Sequence, residues 1–116
     1  PGISDTYFHP FKVDFESRRA VTLDFVGFLK AAYSRPHPFS YDGKYHQFKD
    51  ITLAVNPVQK PHPPMWIETR DPATLAFCAR EGINAGYFLL FPRKEAAGRY
   101  QTYFDAWAAA SLPVAK

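Results

Sequence analysis

Thr69, Arg70 and Asp71, with Thr74 three residues further on, form the group in this chain whose types and spacing best suit ligand chemistry. They fall where a short apolar run, Met65 to Ile67, gives way to a helical pattern opening at Asp71-Pro72. A helix start presents unpaired N–H groups and a partial positive charge, and both favour a phosphate. Thr69 and Thr74 can donate hydroxyls, and the Arg70 guanidinium can pair with a dianion. Asp71 stands apart. Its carboxylate would repel a phosphate, so it reads as the N-cap of the helix.

Other residues invite weaker chemistry. Arg93-Lys94 puts two cations in the first turn of a later helix, against its dipole, and reads as solvated surface charge. His9, His37, His46 and His62 are scattered along the chain, and their spacing commends no metal site. Cys78 lies mid-helix on an apolar face and reads as a small buried hydrophobe. Tyr41, Tyr45 and Phe48 make an aromatic hairpin suited to cross-strand packing, and to bordering a hydrophobic entry.

The elements that must position these residues follow from periodicity and breakers. A helix is expected over 15–34, capped by Asp14, with Val21, Phe25, Phe28, Leu29 and Ala32 on its apolar stripe. Pro36 and Pro38 end it. Phe39 to Phe48 reads as a hairpin around a two-residue Asp42-Gly43 turn, flanked by Tyr41 and Lys44. A strand-like piece, Ile51 to Val55, comes next. The prolines at 57, 61, 63 and 64 keep the following stretch extended. It enters a buried strand, Met65-Trp66-Ile67. A helix over 72–81 ends at Gly82, with Leu75, Cys78 and Ala79 on its apolar face. Ala85 to Phe91 reads as a second buried strand. A helix over about 93–110 turns Ala96, Tyr100, Tyr103 and Trp107 inward.

The last four elements are two strand–helix units with short connections, and the strands are apolar enough for a parallel sheet covered on both faces. The fold class is α/β. Two strands do not make a stable open sheet, and a (β/α)8 barrel needs about 250 residues. The 116 residues therefore read as a section of a larger barrel: about two βα units with a preceding helix and hairpin.

Composition narrows the function classes. A net charge of +3 with no run of like charge gives no nucleic-acid signal. No apolar run approaches the ~20 residues that cross a bilayer, so no membrane partner is expected. One cysteine excludes an internal disulfide framework, and a reducing, cytoplasmic setting is expected. The chain starts at Pro1 without an initiator Met and stops just after a helical stretch, so both ends are expected to be cut.

Three pieces carry a family resemblance: FSYDGKYHQFKDITL, PVQKPHPPMWI and DPATLAFCAREG. Together they resemble the luciferase-like monooxygenases, flavin-dependent enzymes related to bacterial luciferase. The likeness runs from residue 14 to about 91, and its Pro-rich segment is the most specific part. It implies a (β/α)8 barrel that binds reduced FMN or, in some relatives, a deazaflavin. With oxygen, such a barrel oxidises a small organic substrate. It also implies Thr69, Arg70 and Thr74 as flavin-phosphate residues and a flavin reductase as a possible partner. Where this chain has Asp71, family members often carry Ser. The family's early strands, which bear its catalytic histidine and several flavin contacts, have no counterpart here. No catalytic residue is therefore assigned, and the segment alone is expected to be inactive. Its unpaired strand edges predict self-association, and a homo-oligomer is expected. The competing function is a non-catalytic interaction module built on the Pro-rich segment 57–64. Its P-x-x-P spacing after Lys60 resembles SH3 ligands.

Overall fold

The computed structural model describes residues 4–87 and 92–111. They fall into two compact units that meet between Pro63 and Pro64, each with its own core.

The first unit opens with two short 3-10 turns, Asp5–Tyr7 and His9–Phe11. Helix α1 runs Arg18–Ser34, three residues shorter at its start than the periodicity predicts. Asp14 does act as a cap, but of the turn before the helix. Its carboxylate accepts from the N–H of Glu16 and Ser17 and from the Ser17 hydroxyl. The buried stripe of α1 is also displaced. Val26, Ala31 and Ala32 are buried, whereas Phe25 is exposed.

Strands β1 (Phe39–Asp42) and β2 (Gln47–Ile51) pair antiparallel. Phe39 packs on Ala31 and Ala32, with Phe28, Tyr41, Ile51 and Leu53 around them. The ring of Phe28 is central, with its centroid 4.7 Å from Phe48 and 5.7 Å from Tyr41. The register pairs Tyr41 with Phe48 but Phe39 with Ile51, so β2 carries one extra residue. Asp50 adopts φ 53 there, and its N–H donates to the Ser40 hydroxyl. The extra residue is a β-bulge. Ile51 closes β2, so the separate strand expected over 51–55 does not form.

The hairpin turn differs from expectation in a way that organises the unit. Asp42 pairs with Gln47, leaving a four-residue loop, Gly43 to His46, instead of a two-residue turn. The loop wraps the Asp24 side chain of α1. The carboxylate accepts from the N–H of Lys44 (3.1 Å), Tyr45 (3.1 Å) and His46 (2.9 Å), and from the His46 ring Nδ1 (2.9 Å). The Tyr41 hydroxyl donates to the Asp24 carbonyl at 2.8 Å. Gly43 is required for proximity and not for a positive φ, because a Cβ there would collide with both Asp24 oxygens and the Tyr41 ring.

The second unit is β3 (Trp66–Glu68), α2 (Pro72–Glu81), β4 (Asn84–Gly86) and α3 (Arg93–Ala109). β3 and β4 are parallel, pairing Trp66 with Asn84, Ile67 with Ala85 and Glu68 with Gly86. The strand–helix order and the bounds of α2 agree with the sequence reading. Ala85 is buried and Ile67 half-buried, but Trp66 is 68 % exposed. Of the strand expected over 85–91, residues 88–91 lie outside the described residues.

Gly82 ends α2 at φ 66, its N–H donating to Ala79, and the Ile83 N–H reaches the Cys78 carbonyl at 2.8 Å. This closure buries Ile83 beside Leu75, Cys78 and Ala79 in the core. From α3, Tyr103 is buried and donates its hydroxyl to the Ile83 carbonyl at 3.0 Å, while Tyr100 stays partly exposed. Burial raises the Tyr103 pKa.

Two outcomes follow. Burial of Asp24 acts to raise its pKa, but the His46 ring and the three loop N–H groups outweigh it, and the net shift is downward. A lowered folded-state pKa adds stability that is complete above the ordinary aspartate value of 3.8 and fades as pH falls through the lower value. Asp24→Asn should therefore lower the melting temperature at neutral pH and flatten the acid limb of a circular-dichroism pH series. Acid limbs of equal slope would remove Asp24 from this role. Tyr103→Phe leaves the buried Ile83 carbonyl without its donor and should cost roughly 1–3 kcal/mol in urea unfolding, against almost nothing for Tyr7→Phe on the surface.

Candidate functional site

The candidate site lies at the carboxyl end of β3, where ligands of parallel α/β sheets bind. The ladder continues one residue past the strand, with the Thr69 N–H donating to the Gly86 carbonyl at 3.2 Å. The Thr69 hydroxyl accepts from the Asp71 N–H at 3.1 Å, which folds the chain sharply into α2.

Asp71 is the N-cap of α2, as its position before Pro72 predicts. Its Oδ2 accepts from the Thr74 N–H at 2.8 Å and from the Thr74 hydroxyl at 2.6 Å. Thr74 is buried, so its hydroxyl serves this cap from inside the unit. Arg70 is exposed between Thr69 and the cap. The structure thus gathers Thr69, Arg70 and Thr74 around one short turn. It gives Thr74 a bond to Asp71, and it leaves the helix N-terminus occupied by a carboxylate of the chain itself.

The other candidates have separate tasks. Arg93 and Lys94 are exposed at the start of α3, whose cap residue Pro92 makes no side-chain bond. Nearby, the Tyr87 hydroxyl donates to the Pro92 carbonyl at 2.9 Å. Cys78 is fully buried, and burial pushes its thiol up to about 11, the state of an unreactive core residue. His62 donates from its ring to the Pro63 carbonyl, and His37 lies 3.4 Å from the Ile51 carbonyl. Among the described residues no group of three His, Cys, Asp or Glu is placed to hold a metal ion. Likewise, no helix among them is long and apolar enough to cross a membrane. Of the aromatic hairpin, Tyr41 and Phe48 pack against Phe28, and Tyr45 lies in the loop that grips Asp24.

The residue that sequence reasoning missed is Asp24. Its signal was present: a carboxylate set within the apolar stripe, between Val21 and Phe28. An acid in that position needs donors from elsewhere in the fold.

The family model for luciferase-like monooxygenases matches residues 1–116, and the chain belongs to that family. Over 46 residues it is 37 % identical to the oxygenase component of a flavin-dependent trigonelline monooxygenase from Acinetobacter baylyi, covering 40 % of this chain and 13 % of that protein. It is 41 % identical over 46 residues to the uncharacterized protein y4vJ of Sinorhizobium fredii, again 40 % of this chain and 13 % of the relative. In fold it resembles the monooxygenase RslO1 of Streptomyces bottropensis, with a TM-score of 0.84 and 22 % identity over 98 % of this chain and 35 % of the other. The chain therefore spans a minor part of the length of the proteins it matches. Its described residues are mixed α/β, with two two-stranded sheets and no closed barrel among them.

Asp71→Ala should destabilise the second unit by about 1–2 kcal/mol, through loss of the cap and of the acceptor for the buried Thr74 hydroxyl. Hydrogen exchange at the Thr74 amide checks the cause. That amide should lose protection more than the amides at the centre of α3.

Proposed function

We propose that residues 1–116 are part of one (β/α)8 domain of a flavin-dependent monooxygenase that uses reduced flavin and oxygen to oxidise a small organic substrate. The observation that carries this is the placement of Thr69 and Arg70 at the carboxyl end of a parallel strand, inside a chain of this family. A cation and a hydroxyl at such an edge fit the terminal phosphate of FMN. The N–H groups of α2 add little to that donor set, because Asp71 already takes one of them. In this reading Arg70 pairs with the phosphate, Thr69 donates its hydroxyl, and Thr74 acts through Asp71 by holding the turn in shape. The reduced flavin supplies the electrons with which oxygen is activated. This chain's part is to bind and orient the phosphate end. FMN is preferred over a deazaflavin on the strength of the family alone.

A flavin reductase partner is supported by the relative in Acinetobacter baylyi, which is an oxygenase component. A cytoplasmic setting agrees with the single cysteine, which is unpaired and buried.

In the full-length polypeptide, Arg70→Ala should weaken FMN binding about tenfold to hundredfold and leave riboflavin binding nearly unchanged. Riboflavin lacks the phosphate and so reports contacts to the ring alone. Equal losses for both ligands, or none for either, would defeat the phosphate role of Arg70.

A further inference from the structure

Asp42-Gly43 carries a reactivity of its own. An aspartate followed by glycine can close on the next peptide bond, because glycine leaves its amide nitrogen unshielded by a Cβ. The Gly43 nitrogen attacks the Asp42 Cγ, a C–N bond forms, and the carboxyl hydroxyl leaves as water with the amide proton. Water then adds at the main-chain carbonyl carbon of Asp42 and breaks its bond to the Gly43 nitrogen. Gly43 stays attached through Cγ, and the product is isoaspartate, an isomer of the starting chain. No oxidant, reductant or co-reactant other than water takes part.

Ring closure needs the Gly43 nitrogen to eclipse the Asp42 Cβ, and the native contacts hold it elsewhere. Asp42 is the last residue of β1 and pairs with Gln47. The extended backbone of a strand turns the following nitrogen away from the residue's own Cβ. The Gly43 N–H donates to the His46 carbonyl at 2.9 Å, and the Gln47 side-chain amide donates to the Gly43 carbonyl. His46 is itself held by Asp24, which accepts from its N–H and from its ring Nδ1, each at 2.9 Å. The same carboxylate is the reason that residue 43 is glycine, since a Cβ there would collide with both Asp24 oxygens. Asp24 thus demands the residue that makes the bond reactive and supplies the clasp that keeps it unreacted.

We propose that Asp42 is a latent isoaspartate-forming site whose rate of modification is set by the grip of Asp24 on the loop from Gly43 to His46. Reaction requires the loop to open locally, so the rate scales with the open fraction. Isoaspartate adds a carbon to the main chain and leaves a carboxylate on it, and the loop then no longer fits around Asp24. The contacts involved lie within the first unit and hold whether or not the chain binds flavin.

The test follows isoaspartate at residue 42 in the full-length polypeptide during incubation at neutral pH. The isomer has unchanged mass, so it is scored in the proteolytic peptide by electron-transfer fragmentation and by enzymatic methylation of its free carboxylate. Urea-unfolded chain gives the unprotected rate, and the native wild type should react more slowly by about tenfold or more. Native Asp24→Asn should react about tenfold faster than the wild type. Gln47→Ala frees only the Gly43 carbonyl and should accelerate the reaction about threefold. Val26→Ala weakens the buried stripe of α1, outside the loop, and should keep the wild-type rate. Circular dichroism checks that each variant is folded. A native wild type that reacts as fast as the unfolded chain would overturn the proposal. So would a folded Asp24→Asn variant with the wild-type rate, or a Val26→Ala variant as fast as Asp24→Asn. If Asp24→Asn does not fold, Gln47→Ala decides, and a wild-type rate there overturns the proposal.

Discussion

The Asp24 carboxylate, on the side of α1, takes up three successive N–H groups of the loop from Lys44 to His46 and the His46 ring as well. A four-residue loop has few ways to satisfy its own backbone, and a carboxylate is the strongest acceptor a side chain can offer. Once the loop closes on Asp24, the hairpin is fixed against the helix. Phe39 and Tyr41 then have one place to pack, around Phe28. The second unit uses the same device on a smaller scale. Asp71 accepts from Thr74 and so sets where α2 begins relative to the end of β3. In each unit an aspartate fixes a junction that apolar contacts alone would leave free to slide.

This arrangement has a bearing on the site. A carboxylate in the first turn of α2 gives the helix its stability from within and removes part of the positive end that an anion would otherwise use. In the proposed phosphate reading, the groups left to meet a ligand at this edge are side chains of the connecting turn. The ends of α2 are held by Asp71 and Gly82, and Thr69 meets the first of them by accepting from the Asp71 N–H.

How much was legible in the sequence depended on how local the cause was. The bounds of α2 were readable because Asp71-Pro72 and Gly82 act within one turn of themselves. The family was readable for a similar reason, since the Pro-rich entry to β3 is continuous in the chain. The Asp42-Gly43 turn was misread because the use of Gly43 is set by Asp24, nineteen positions earlier in the chain. Nothing in the dipeptide distinguishes a glycine kept for its φ from one kept for close approach. The buried stripe of α1 shifted for a related reason: the surface it meets is made by the hairpin, and the hairpin's seat is chosen by Asp24. Within the site, the types of Thr69, Arg70 and Thr74 were visible. The bond that ties the Thr74 hydroxyl to Asp71 required the turn to be seen.

The bulge at Asp50 changes how the hairpin counts its residues. Phe48 and Ile51 are an odd number of positions apart, yet both oppose residues of one β1 face, Tyr41 and Phe39. On a regular strand such a pair would look in opposite directions. The bulge thus absorbs the extra residue and keeps Ile51 and Leu53 on the side that meets α1. Deleting one residue there would leave Phe48 and Ile51 two apart on a regular strand and still on one face, whereas inserting a second without a matching bulge would turn Ile51 to the other side.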